Sequence, residues 1–257
     1  MKIATFNVNS IRSRLPILLD WLRQESPEIV ALQETKVQDP DFPADPIREL
    51  GYCVTFRGQK AHAGVALITR SEPTSVAYGL DDAGPADEAR LIRATVNGVA
   101  IVNTYVPQGQ ALDAPQFQYK LEWLGRLRAF FERNYSPDQP IIWLGDFNVA
   151  PEPLDVHDPR RLVTNPDFAP AARQALAEVA AWGWVDVVRR LHPDEKIYTF
   201  WDYRVPKSVE RGLGWRIDHI WATPALAARC TRAWVDMGPR LTERPSDHTV
   251  LAAEFQE

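Results

Sequence analysis

Two pairs of polar residues stand where apolar runs stop. In PIIWLGDFNVAP (140–151) a stretch of branched aliphatics ends at Gly145, and Asp146 and Asn148 follow with one residue between them. In KIATFNVNS (2–10) Asn7 and Asn9 follow Phe6 in the same relation. Residues two apart on a strand project from the same face, so Asp146 and Asn148 can enter one cleft while Phe147 turns back into the core. Other apolar runs end alike. LQETK places Glu34 after Leu32, NTYVPQG carries Tyr105, RIDHI contains Asp218, and PSDH delivers Asp247 and His248 ahead of the last run.

Acids and amides at many strand ends, with one His among them, suit a hard divalent cation. Mg²⁺ takes oxygen ligands, keeps several waters, and is held by one or two carboxylates together with substrate phosphate. An Asp–His pair beside it supplies acid–base or electrostatic function. Each element also has a plainer reading. An Asp after a strand commonly satisfies free backbone N–H groups in a turn or N-cap, and SDH before a strand can be a capped turn. Asn7 can cap the helical region that begins near Ser13. Glu34 can be a surface acid paired with Lys36, worth about 0–1 kcal/mol, and Tyr105 can be packing. Six strand ends with the same polar set are hard to assign to turns alone.

The elements that must position these residues are short apolar strands, read at 2–8, 28–34, 52–57, 64–70, 90–96, 99–106, 140–146, 216–222 and 249–255. Between them lie amphipathic helices. Residues 14–25 carry Leu15, Leu18, Leu19 and Leu22 on one face; 116–134 carry Phe117, Leu121, Leu124, Leu127 and Phe131; 170–182 form a third, Ala-rich helix. Strands grouped with helices between the groups predict two sheets packed face to face with helices outside. A strand–helix–strand order near 2–34 recurs loosely near 99–146, which suggests a repeated layout.

With 257 residues, 45% of them hydrophobic, the chain can bury a full core as one domain, or as two intimately packed halves. The net charge of −5 is unlike that of a generic nucleic-acid coat protein, yet Lys196 to Arg216 holds five basic residues against Asp202 and Glu210. A metal-dependent nuclease concentrates acids in its cleft and bases around the rim, so the total conceals the pattern. Cys53 and Cys230 lack zinc-ligand spacing and are expected to be reduced thiols. No signal-peptide layout is visible, and the apolar runs are far shorter than the roughly 20 residues of a membrane span. A cytoplasmic protein is expected.

FNVNSIRSR, LQETK, GVALITR, NTYVPQG, GDFNVAP, YTFWDYR, GWRIDHIWA and PSDHTVL occur in an order that resembles the exonuclease III family of apurinic/apyrimidinic (AP) endonucleases, from about residue 1 to 255. LQETK, GDFN and SDH are shared with the wider endonuclease–exonuclease–phosphatase superfamily, whereas TFWDYR followed by GWRID is specific to its DNA-repair branch. The resemblance implies a four-layered α/β sandwich of two mixed sheets. It implies a Mg²⁺-dependent enzyme, with Mn²⁺ able to substitute, that cuts 5′ to abasic sites in double-stranded DNA. Blocked 3′ ends are implied as further substrates, through 3′→5′ exonuclease or 3′-phosphodiesterase activity, and the enzyme is expected to be a monomer.

By the same resemblance Glu34 is the principal metal carboxylate, with Asn7 and Asp247 near the ion and Asp146, Asn148 and His248 around it. Asp146 holds or deprotonates the attacking water. Asn148 and Tyr105 hydrogen-bond the scissile phosphate, His248 contacts it, and Asp218 orients His248. Phe200, Trp215 and Ile217 form an apolar pocket for a sugar lacking its base, with Trp201 beside them or packed in the core. Asn9, Lys36, Gln108 and Arg204 are implied DNA contacts, as are Lys207 and Arg211, and Arg90 matches a recurrent family arginine that can equally be a surface residue. Two residues depart from the pattern: His219 stands where many relatives have an aromatic or aliphatic side chain, and His157 lies in a loop expected near the pocket. A less selective nuclease or a superfamily phosphatase is an alternative, as is a non-catalytic nucleic-acid- or protein-binding relative. Retention of TFWDYR and GWRID opposes the phosphatase, and retention of all eight chemical positions opposes the non-catalytic relative.

Overall fold

The computed structural model describes residues 1–84 and 88–256. Its strands are β1 (Lys2–Asn7), β2 (Ile29–Gln33), β3 (Cys53–Arg57), β4 (Val65–Thr69), β5 (Thr74–Tyr78), β6 (Leu91–Val96), β7 (Val99–Tyr105), β8 (Ile141–Asp146), β9 (Val185–Asp186), β10 (Asp218–Ala222), β11 (Cys230–Asp236) and β12 (Val250–Phe255). The helices are α1 (Ile11–Glu25), α2 (Asp45–Arg48), α3 (Pro115–Asn134), α4 (Pro170–Ala180), α5 (Val187–Leu191) and α6 (Pro224–Ala228). Every strand expected from the sequence is present within a residue or two. Three more, β5, β9 and β11, were not foreseen. All three lie at or beside a sheet edge, where one side of the ladder is open and the apolar pattern weakens. β5 is mostly exposed, β9 has two residues, and β11 is interrupted by Thr231 and Arg232 at a register shift.

Two six-stranded sheets result, ordered β11-β12-β1-β2-β4-β3 and β5-β6-β7-β8-β10-β9. Each has one central parallel pair, β1 with β2 and β7 with β8, joined by a helical crossover and flanked by antiparallel strands. The repeated layout suggested by the sequence is therefore a real repetition of topology. One core fills the space between the sheets, around Ile3, Ile29, Ala31, Ile101, Ile142 and Leu144. A second packs α1 on the outside of the first sheet, through Leu18, Trp21 and Leu22. A third packs α3 and α4 on the outside of the other sheet, through Leu124, Leu127, Phe131 and Leu176. Helix, sheet, sheet and helix give the four layers.

The inner faces of the central strands are graded along their length. Taken every second residue, β1 runs Ile3, Thr5, Asn7; β2 runs Ile29, Ala31, Gln33; β7 runs Ile101, Asn103, Tyr105; and β8 runs Ile142, Leu144, Asp146. Apolar packing gives way to uncharged hydrogen-bonding side chains and then to the ionisable rim. The middle stratum couples the sheets: Gln33 Nε2 donates to Asn103 Oδ1 at 2.7 Å and to Thr5 Oγ1 at 3.0 Å. Asn103 in turn donates to the backbone carbonyls of Leu32 and Ala66, at 2.9 and 3.0 Å. Gln33 and Asn103 are thus satisfied in part by partners from the opposite sheet, while Thr5 bonds Gln33 within its own.

Gly145 interrupts the apolar run of β8 for a backbone reason. Its φ is +139°, and a Cβ there would lie 2.0 Å from the carbonyl oxygen of Thr104 on β7. The close approach lets β8 continue pairing with β7 up to Tyr105–Asp146. Gly145→Ala should lower folding stability by at least about 2 kcal/mol. An unchanged urea-unfolding midpoint for that variant would contradict this account.

Candidate active site

Parallel pairing brings the C-terminal ends of β1, β2, β7 and β8 to one rim, and the first residue of β10 joins them. Asn7, Tyr105 and Asp146 are the last residues of their strands, and Asp218 is the first of its own. Across the second sheet Tyr105 pairs with Asp146, and Asp146 with Asp218, so the three side chains stand in a row. Glu34 follows β2 directly, and Asp247 and His248 precede β12. Glu34 and Asn148 both adopt left-handed backbone, at φ 50° and 47°. Non-glycine residues rarely do so, and such strain is concentrated at functional sites. Here it turns each side chain off its strand axis at the point where the strand ends.

The Asn7 amide joins the two sheets. Its Nδ2 donates to Glu34 Oε1 and to Asp146 Oδ2, both at 2.8 Å. Asp146 Oδ1 accepts the backbone N–H of Asn148 at 2.9 Å, and Asn148 Nδ2 bonds the carbonyl of Val106 at 2.9 Å. On the other side His248 Nδ1 meets Asp218 Oδ2 at 2.8 Å, while its Nε2 faces Asp146 Oδ2 at 3.8 Å. Ser246 fixes this turn to β1, donating to the carbonyl of Asn7 at 2.8 Å. Asp247 Oδ1 accepts from Asn9 Nδ2 at 2.9 Å, and Asn9 Oδ1 accepts from Lys36 Nζ at 2.6 Å. Lys36 also pairs with Glu34 at 2.7 Å.

Burial dominates the electrostatics. Desolvation pushes the Asp146 carboxyl well above its ordinary range, the His248 charge opposes it, and the like charges of Asp218 and Glu34 add to it. Burial alone would lower His248, but the carboxylates of Asp218 and Asp146 outweigh it and raise the imidazole to about 10. Tyr105 is also raised by burial and by the Glu34 and Asp146 charges, so its phenol stays protonated. Glu34 is lowered overall: burial works against its charge, but Lys36 and Asn7 outweigh it. Glu34, Asp146 and His248 each offer a ligand atom within 4.8 Å of the others. Two converging carboxylates with one amide between them fit a hard divalent cation. An imidazolium has no lone pair to give, which leaves His248 free to act as a hydrogen-bond donor.

A cleft of about 700 Å³ opens from this rim. Its polar end holds Glu34, Tyr105, Asn148, Asp247 and His248, and its apolar wall holds Phe200, Trp215, Ile217, Leu162, Val205 and Leu213. Short antiparallel bridges, Phe200 with Trp215 and with His248, and Val156 with Trp215, knit the wall to the rim. Gln108 and Arg204 line the cleft as expected, with the Arg204 guanidinium on Asp202 at 2.8 Å. Asn9 and Lys36 stand beside Glu34 and Asp247 without lining it. Trp201 is 6% exposed and packs edge-on against Tyr198, behind the wall. Lys207 lies 3.8 Å from Glu210, and Arg211 bonds the carbonyl of Pro206 on the same loop. Arg90 is no surface residue: its guanidinium lies 4.7 Å over the Tyr105 ring and bonds Glu88.

The two unusual histidines part company. His157 lines the cleft, its ring 6.1 Å from that of Trp215. His219 lies on the outer face of β10, stacked 4.9 Å from Phe147, with Nε2 on the carbonyl of Val149 and Nδ1 facing Arg216. Burial and the Arg216 charge lower it to about 4, so it is a neutral packing residue. Arg216 is itself fully buried and bonds Asp155 at 2.6 Å and Asp186 at 2.7 Å. Sequence reading passed over Lys120, Asn165 and Asp167. Lys120 was detectable, since it falls between Phe117 and Leu124 on the buried stripe of α3, where a charge needs a reason.

A carboxylate–amide–imidazole rim on two stacked mixed sheets defines a class of phosphoester-cleaving folds. The sequence matches the Endonuclease/Exonuclease/phosphatase family over residues 4–248, and the chain belongs to that family, in its exonuclease III branch. It is 33% identical to exodeoxyribonuclease III of Haemophilus influenzae, over 100% of both chains. Among solved structures, an AP endonuclease from Archaeoglobus fulgidus superposes with a TM-score of 0.98 at 50% identity. A 3′ phosphatase from Neisseria, bound to a product DNA hairpin, superposes with a TM-score of 0.95 at 38% identity; each comparison covers 100% of both chains.

The shifts at the rim have a sign. His248 holds its proton to higher pH when folded than when unfolded, so the folded state binds more protons in that range. Stability of the metal-free protein from this imidazole is complete below about 6.5 and is lost as pH rises through about 10. Denaturant titrations at both ends of that window should show the decline. Asp218→Asn should move the His248 imidazole resonances to a lower midpoint by NMR; an unmoved midpoint would remove Asp218 as the cause.

Proposed function

We propose that this chain is a metal-dependent DNA-repair nuclease that hydrolyses the phosphodiester 5′ to abasic sites, with Mg²⁺ as its ion and Mn²⁺ able to replace it. It acts as a single-domain monomer on duplex DNA in the cytoplasm, and it also trims blocked 3′ ends. Among the described residues no helix is long and apolar enough to cross a membrane. The observation that carries the reading is the continuity of the hydrolytic rim with an apolar pocket. Phe200 touches His248, with ring centroids 4.9 Å apart, so whatever fills the pocket lies against the reacting groups.

Glu34 and Asp146, with Asn7 between them and Asp247 alongside, would hold the cation. When bound, it neutralises the carboxylates and polarises a phosphoryl oxygen. Asp146 orients the attacking water and accepts its proton, a task suited to a carboxylate whose basicity burial has raised. Tyr105, kept protonated, and the Asn148 amide donate to the phosphate oxygens as charge builds there. His248, held as imidazolium by Asp218, supplies the remaining positive donor. Phe200, Trp215 and Ile217 accept a flipped sugar that has no base, and flipping such a sugar costs less unstacking than flipping a paired nucleotide. The relatives, an exodeoxyribonuclease, an AP endonuclease and a 3′ phosphatase, support phosphodiester and 3′-end chemistry at this site.

A labelled duplex with one abasic analogue should be cut beside the analogue in Mg²⁺, not in EDTA, while an intact duplex is spared internally. Incision that persists in EDTA, or none at all, would overturn the proposal. Asp146→Asn and His248→Ala should each slow single-turnover incision by about 10²–10⁴-fold. His157 lines the pocket beside Trp215, where its bulk sets the balance between abasic incision and 3′-end trimming. His157→Gly should change the ratio of the two rates, and an unchanged ratio would eliminate that role.

A further inference from the structure

The buried lysine of α3 has no part in the mechanism above, yet it sits behind the cleft. Lys120 is 0% exposed, and its Nζ has four acceptors: the carbonyls of Gln108 at 3.1 Å, Asn148 at 2.5 Å and Pro166 at 3.2 Å, and Asp167 Oδ1 at 2.9 Å. These come from three separate loops, which follow β7, follow β8 and precede α4. All three supply residues to the cleft: Gln108 and Gln110, Asn148, and Leu162, Asn165 and Asp167. Among the described residues no strand ladder joins the loops at this point, and the ammonium is the one group that bonds all three.

The surroundings of the lysine are equally committed. Asp167 Oδ2 accepts from Gln108 Nε2 at 3.4 Å, and Gln108 Oε1 accepts the backbone N–H of Gln110 at 2.9 Å. Asp167 is anchored through its own backbone, its carbonyl accepting from Ala150 at 2.7 Å. Gly109 has φ +97°, and a Cβ there would meet Lys120 Cδ and Phe117 at 3.2 Å. The carbonyl that Lys120 holds most closely is that of Asn148, whose backbone is in the left-handed region. A charge-assisted bond to that carbonyl fixes the peptide that aims the Asn148 side chain.

We infer that Lys120 is a positioning residue for substrate selection, a clasp that sets the width of the pocket by holding the Gln108, Asn148 and Asp167 loops together. The inference rests on the function proposed above. A tight clasp keeps Gln108, Asn165 and Asp167 close to the apolar wall of Phe200, Trp215, Ile217 and Leu162. A sugar without a base enters, and a whole nucleotide does not. Loosening the clasp admits larger occupants while leaving Glu34, Asp218 and His248 in place, since none of them bonds to Lys120, and Asp146 keeps its bond from the Asn7 amide.

The test is a ratio measured on one preparation. Single-turnover incision at an abasic analogue is compared with removal of a normal 3′ nucleotide from an otherwise identical duplex, in Mg²⁺. A purely structural defect reduces both rates by the same active fraction and leaves the ratio alone. Lys120→Met, which keeps the stem and removes the donors, should lower the abasic preference by about 10-fold or more, of the order set by one lost charged hydrogen bond. Asp167→Asn, which leaves the three carbonyl acceptors in place, should shift the ratio the same way by less, and it decides the matter alone if Lys120→Met does not fold. Both rates falling in proportion would overturn the clasp. Failure of the wild-type protein to cut at the analogue would instead overturn the proposed function.

Discussion

Two carboxylates from different sheets, Glu34 and Asp146, meet at one amide, that of Asn7, and the rest of the architecture serves that meeting. Side chains from separate sheets can converge only if the sheets are stacked in register and their strands end at the same level. The stacking comes from the apolar inner faces. The level comes from the two parallel pairs, each of which presents two C-terminal ends at the same rim. Between the apolar floor and the charged rim, Thr5, Gln33 and Asn103 make a neutral layer that bonds sheet to sheet. Without it, buried acids would rest directly on aliphatic side chains, where desolvation costs most and nothing fixes their direction.

The rim concentrates charge that it cannot neutralise by itself. Glu34, Asp146, Asp218 and Asp247 are balanced nearby by Lys36 and by whatever proton His248 keeps. That imbalance explains why burial and like charge raise Asp146 and why His248 is a strong base. It is also the physical reason a divalent cation suits the place. Away from the rim two buried cations have carboxylate partners: Arg216 with Asp155 and Asp186, and Lys120 with Asp167 and three carbonyls. Buried ion pairs of this kind add little net stability over apolar packing. Their directional bonds hold long loops in one arrangement, and it is loops that build the pocket.

Most of the frame could be read from residue patterns because it depends on period and burial. The central strands are nearly continuous apolar runs, and their two-residue period placed Asp146 on the inner face correctly; Asn148 lies past the end of β8 and reaches the cleft through its left-handed backbone instead. Three of the four edge strands were missed because half of their environment is solvent or loop, so Thr231, Arg232 and the exposed residues of β5 carry no inward pattern. The rim residues announced themselves by interrupting hydrophobic runs. Leu162, Asn165 and Asp167 did not, because they come from one short 3-10 turn (Leu162–Thr164) and the loop after it, whose course depends on Lys120 and on the Val156–Trp215 bridge. Tertiary contacts of that sort leave no local periodicity. Trp201 shows the converse: the motif around it is informative, but alternation turns Phe200 toward His248 and Trp201 away.

The pairing of β1 with β12 has a consequence for biosynthesis. Lys2 stands opposite Glu254, so the first strand of the sheet waits for the last to be made. His248 lies just ahead of that last strand, and Ser246 fastens the same turn to the end of β1. During translation the first sheet therefore has an open edge on β1 until β12 emerges, a feature that slows folding and invites wrong pairing. The same delay leaves a nascent chain without the His248 imidazole and without Asp247. The order of synthesis thus arms the hydrolytic centre only after β12 has been made and has paired with β1.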